Sequence, residues 1–168
     1  PAALGHRART LRACARIAVG LRRSGVATAG NGAAMRAAIV GVFFHDDEVA
    51  RRSTSDALAR VTHTDPRAVE GARFVAEVAA MTVKHGDPAE ALEAARAVVT
   101  EATLAEAIGR AMALAREGAS PDVATEALGT TGFVVHTVPF AAYAFARWGR
   151  DPMEAIAAVI RAGGDTDS

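Results

Sequence analysis

One cysteine, one lysine, one tyrosine and one tryptophan occur in 168 residues, and each scarcity closes off a class of protein. With Cys14 alone, neither an internal disulfide nor a cysteine-built zinc site can form, which suits a reducing cytoplasm. Aromatic residues make up 5% of the chain against 51% hydrophobic overall, a balance that disfavours a β-sandwich and favours closely packed, alanine-rich helices. Lys+Arg and Asp+Glu are both 19, so no net field draws nucleic acid or an acidic surface. No signal peptide is evident, and the apolar runs are too short or too often broken by charge to cross a bilayer. Arginine in large excess over lysine, with so much alanine, points to a GC-rich bacterial genome.

The length fits one domain with a substantial core. Residues 6–23 place Leu11, Ala15, Ala18 and Leu21 on one helical face and Arg9, Arg12, Arg16 and Arg23 mostly elsewhere. No aromatic residue is interleaved with these arginines, so a solvated face is expected rather than a nucleic-acid surface. Further on, Asp65-Pro66, Asp87-Pro88, Ser120-Pro121 and Asp151-Pro152 each set a capping side chain before a proline, whose missing N–H costs nothing at a first helical position. Gly86, Gly118 and Gly149 supply the stops. Helices are expected over residues 46–61, 66–85, 88–117, 121–128, 133–148 and 152–162, with a break near Thr100 or Thr103 and a kink at Pro139. No strand pattern is found.

Chemistry-bearing residues collect in the turns. Gly25 to Gly32 is a small-residue loop feeding a helix, a device that turns backbone N–H groups toward a phosphate, although Asn31 also reads as a plain N-cap. Val61 to Asp65 puts His63 at a junction between helices, where an imidazole can reach a ligand. Gly129 to Phe133 repeats the glycine-and-hydroxyl device and ends in a ring that can stack on a base or join the core. His45, Asp46 and Asp47 form a third group, whose acids are expected to cap the next helix. The terminal Gly163-Gly164-Asp165-Thr166-Asp167-Ser168 sets carboxylates at i and i+2 behind flexible glycines, a pattern suited to a hard cation such as Mg2+ or Ca2+. The same stretch also reads as a helix C-cap with a polar tail.

Taken together, Gly30-Asn31-Gly32-Ala33-Ala34-Met35-Arg36, Thr62-His63-Thr64-Asp65-Pro66, Gly129-Thr130-Thr131-Gly132-Phe133-Val134-Val135 with Thr137-Val138-Pro139, and Gly163-Gly164-Asp165-Thr166-Asp167 occur in that order with helical spacers. The sequence resembles the ADP-ribosylglycohydrolases, the group that includes the dinitrogenase-reductase-activating glycohydrolase, over nearly its whole length. The resemblance implies an all-α, single-domain hydrolase over residues 1–168 that releases ADP-ribose from a protein side chain or a small molecule. Two Mg2+ ions would sit in a cleft, with Mn2+ as a substitute. Asp165, Asp167 and Ser168 would be the metal ligands, the serine standing where the family has threonine. Thr28, Gly30, Asn31 and Gly32 would hold the diphosphate or its ribose, His63 would lie near them, and Gly132 and Phe133 would lie on the adenine side. A cytoplasmic monomer is expected, with no nucleic-acid or membrane partner.

Three positions depart from the family pattern. The chain has no consecutive Thr-Asp-Asp run, so the residues shown carry half of the implied metal site, and family segments are expected to be missing at both ends. His136 stands where glutamate is common, and Ile39 where a proline often follows the Met-Arg pair. A catalytically degenerate member that binds ADP-ribose weakly or not at all and acts as an interaction domain is therefore the second reading. A remote third is an HD-type metal phosphohydrolase built on His45-Asp46, for which His6, His63 and Asp122 follow no recognisable spacing.

Overall fold

Aspartate and proline set the frame. The computed structural model describes Ala15 and residues 25–164, in which a 3-10 turn, η1 (Asn31–Arg36), leads into α1 (Ala38–Phe43), α2 (Glu48–Thr62), α3 (Pro66–His85), α4 (Pro88–Arg96), α5 (Ala102–Arg116), α6 (Pro121–Leu128), α7 (Val134–Trp148) and α8 (Pro152–Ala162). Asp65, Asp87, Ser120 and Asp151 cap α3, α4, α6 and α8 by accepting first-turn N–H groups, each just ahead of its proline. Asp47 does the same for α2, accepting from Ala50 N at 2.9 Å. The amphipathic run over residues 6–23 lies outside the described residues, apart from Ala15.

The expected break in the run after Pro88 falls between α4 and α5. It is held by a side chain from another helix: the Glu70 carboxylate of α3 accepts from Thr100 N, Thr100 Oγ1 and Glu101 N, each at 2.7 Å. Helix α7 continues through Pro139 to Trp148, and α1 starts only after a 3-10 turn whose N-cap is Gly30. The Asn31 side chain is therefore no cap.

Helix α3 is central, touching η1, α1, α2, α4, α5 and α7. Against it and α7 pack Leu92, Leu104, Ile108 and Met112, which with Phe74, Val134, Val135 and Val138 form the largest apolar cluster. A second cluster is nearly all alanine: Ala33, Ala37, Ala59, Ala72 and Ala76 with Val69. Small side chains there bring η1, α1 and α2 close to α3, so close that a Cβ on Gly41 of α1 would lie 2.0 Å from Ala76 O. Between them runs a buried ion pair in which Arg51, 1% exposed, meets both Glu77 carboxylate oxygens at 2.8 and 2.9 Å. The same guanidinium donates to Phe44 O and His45 O, fixing the turn between α1 and α2.

Helices α1, α3 and α7 also border an apolar groove of about 370 Å³, lined by Val42, Phe74, Val78, Val83 and Phe145 among others. Among the described residues no helix is long and apolar enough to cross a membrane.

Candidate functional site

The start of α7 poses a problem of unpaired donors. Its N-cap, Phe133, has no side-chain acceptor, so the first N–H groups need partners from elsewhere. The extended segment before η1 supplies one: Val134 N donates to Ala29 O at 2.8 Å, and Asn31 N donates back to Gly132 O at 3.0 Å, forming an isolated bridge between Gly30 and Phe133. At its other end this segment pairs with the junction of α2 and α3. Val26 N donates to Thr62 O at 3.1 Å and Thr64 N donates to Val26 O at 3.0 Å, bridging Val26 and His63. Residues 26–31 thus lie between the two loops that carry His63 and Gly132-Phe133.

Side chains tighten the junction. Asn31, 7% exposed, donates through Nδ2 to Thr137 Oγ1 at 3.1 Å, and Thr137 Oγ1 donates to Thr131 O at 2.8 Å. Thr131 Oγ1 and His136 Nδ1 share a hydrogen bond of 2.8 Å. That imidazole rests on Gly129, where φ is 77° and a Cβ would come within 2.8 Å of Nδ1, so only glycine suits the position. His136 thus makes a local hydrogen bond of its own.

On the opposite side His63 is 7% exposed, and its Nδ1 shares a 2.7 Å hydrogen bond with Thr62 Oγ1. Its ring faces Gly32, where a Cβ would lie 3.3 Å from His63 Cε1. The expected accessible imidazole is thus a buried one, turned toward the glycine turn. Arg36 reaches back to Gly32 O at 2.5 Å and to Leu58 O at 3.1 Å, and also donates to Thr62 Oγ1. Burial holds this guanidinium below the ordinary arginine range.

The chain's last described residue comes to the same place. Gly164 takes φ 88°, and a Cβ on it would meet Thr130 O at 2.2 Å and Thr130 Oγ1 at 2.3 Å. The Gly-Gly turn thus lies directly on the loop whose next residue, Thr131, is bonded to Thr137 and through it to Asn31. Thr28, Gly30, Asn31, Gly32, His63, Gly132 and Phe133 are brought to one neighbourhood, and Asp165, Asp167 and Ser168, which follow Gly164, lie outside the described residues. Among the described residues no group of three or more His, Cys, Asp or Glu side chains is placed to hold a metal ion. His45 instead pairs with Asp46 at 2.9 Å and bonds Val42 O, closing α1. Among the described residues the HD-type alternative has no ligand set.

Arg67 was not singled out by sequence. Its guanidinium lies over the Phe133 ring, 5.2 Å from the centroid, held by the Asp65 carboxylate at 3.0 and 2.8 Å. This bond keeps Asp65 below the usual carboxylate range, burial opposing, and raises Arg67. The Asp-Pro-Arg spacing at a helix start was the available signal.

The apolar groove, by contrast, has no charged lining residue and nothing to receive a phosphate.

The family model described as ADP-ribosylglycohydrolase matches residues 1–168. The chain is similar to a protein of Archaeoglobus fulgidus described as uncharacterized, 35% identical over 150 residues that make up 87% of this chain and 48% of the relative. It spans about half the length of that relative.

Proposed function

The chain belongs to the ADP-ribosylglycohydrolase family, and from that premise we propose that the protein hydrolyses the glycosidic bond joining ADP-ribose to a protein side chain or a small molecule. Water adds across the bond: the anomeric carbon of the terminal ribose takes the hydroxyl and the acceptor takes the proton. The observation that supports this reading is the packing of Gly164 on Thr130, which brings the end of the described residues to the loop bonded to Asn31.

Asp165, Asp167 and Ser168 are hard-oxygen donors of the kind Mg2+ takes. Metal held there would orient ribose hydroxyls and lower the pKa of a bound water. The chain's own residues bind and orient. The glycine turn at 30–32 would hold the diphosphate through its backbone, and Arg36 adds positive charge beside it in a chain whose one lysine, Lys84, lies near the far end of α3. His63, lodged against Gly32, would hold the adjoining ribose.

The test is incubation of the complete protein with a panel of ADP-ribosylated substrates, with and without Mg2+. Release of ADP-ribose only with the metal, abolished by Asp165→Ala and by Asp167→Ala, is the expected result. Unchanged turnover in both variants would remove the metal assignment. The second reading is a catalytically degenerate ADP-ribose-binding or interaction domain. ADP-ribose binding with no release from any substrate would select it.

A further inference from the structure

We propose that the adenine base of ADP-ribose stacks on the guanidinium of Arg67, not directly on the ring of Phe133. This rests on the binding of ADP-ribose proposed above and names what recognises its base. The Phe133 ring is already engaged. Arg67 covers one face at 5.2 Å from the centroid, the His136 ring meets it at 88° with centroids 5.1 Å apart, and the ring packs against the main apolar cluster.

A base reaching the covered face would have to displace Arg67 and break its two bonds to Asp65, at 3.0 and 2.8 Å. Asp65 is itself fixed, because the same carboxylate caps α3 by accepting Arg67 N at 3.0 Å. The guanidinium is therefore clamped from the side and supported from beneath, while its side chain remains 36% exposed. A planar, weakly hydrated cation held in this way presents a flat outer surface, and guanidinium planes stack on bases as aromatic rings do.

Its position fits the rest of the site. Phe133 is bridged to Gly30, the residue before Asn31, so a base on Arg67 lies next to the turn proposed for the diphosphate. A lysine would keep the charge and lose the plane. An ordinary surface ion pair at a helix start would give no reason for the guanidinium to lie over a ring.

The experiment compares ADP-ribose with ribose 5-diphosphate, which keeps sugar and diphosphate but has no base, by calorimetry on the complete protein and its Arg67→Lys variant. We expect Arg67→Lys to weaken ADP-ribose about tenfold and to leave ribose 5-diphosphate unchanged. With an ADP-ribosylated substrate, KM should rise while kcat holds. Asp65→Asn, which keeps a capping oxygen but loosens the clamp, should give a smaller loss of the same kind. Unchanged ADP-ribose affinity in Arg67→Lys, or equal losses for both ligands, would overturn the stacking role while leaving the enzyme proposal standing. Failure of the wild-type protein to bind ADP-ribose would overturn both.

Discussion

Replacing Asn31 by alanine separates a residue that holds a ligand from one that only holds the fold. In the structure the side chain donates a hydrogen bond to Thr137 Oγ1 at 3.1 Å, in a position 7% exposed. A neutral bond of this kind contributes about 1 kcal/mol net. In a chain of this size that corresponds to a fall in Tm of about 2–4 °C. Such a loss is a fraction of the roughly 5–15 kcal/mol that holds a domain folded, so at 25 °C the protein stays folded and a purely structural Asn31 would leave affinity untouched. A hydrogen bond to a charged diphosphate is worth about 1.5–3 kcal/mol, so loss of a ligand contact should weaken ADP-ribose by about tenfold or more. Thr137→Val is the control, because it breaks the same bond from the other side, together with the bond to Thr131 O, and leaves the amide in place. Thermal melts and calorimetry on both variants decide the matter. A lower Tm with unchanged ADP-ribose affinity in Asn31→Ala would refute the reasoning and make Asn31 a framework residue.

Three further outcomes follow from the packing. Gly41→Ala gains helix propensity worth about 1 kcal/mol, but its methyl would sit 2.0 Å from a backbone oxygen, and overpacking of about 1–3 kcal/mol should prevail; a raised urea midpoint would contradict this. Glu77→Gln leaves Arg51 buried without its counter-charge and should cost about 3–5 kcal/mol in urea denaturation, whereas Arg51→Met with Glu77→Leu should recover part of that, not all, because Phe44 O and His45 O lose their donor. Glu70 is pushed up by burial but held, on balance, below the ordinary carboxylate range by hydrogen bonds from Thr100 and Glu101. With a folded pKa below the unfolded one, its stabilisation is present above the unfolded value, about 4.3, and is lost as pH falls through the folded one. The Tm gap between wild type and Glu70→Gln should therefore be constant near neutrality and narrow below about pH 4, and a gap independent of pH would refute the assignment.

Where a structural signal is local, the sequence carries it. The Asp-Pro and Ser-Pro pairs fix the starts of α3, α4, α6 and α8 because cap and proline act within a single turn. The break at Thr100 was only approximately placed, since Glu70, which holds it, belongs to another helix. Asn31 read as a cap because its proper partner, Thr137, lies far along the chain. The same holds for the site. The glycine turns were visible as segments, and resemblance supplied their order, but the packing of Gly164 on Thr130 and of Arg67 over Phe133 depends on how α3, α7 and α8 cross. His63 was placed at the correct junction, yet its burial against Gly32 required the extended pairing with Val26.

That extended pairing also ties the motions of distant loops together. The amide protons of Val26, Asn31, Thr64 and Val134 all depend on one short backbone run, so none can be released to solvent deuterium without loosening its neighbours. Their protection should rise and fall as a group, and a molecule lodged between the loops should slow the exchange of all four at once.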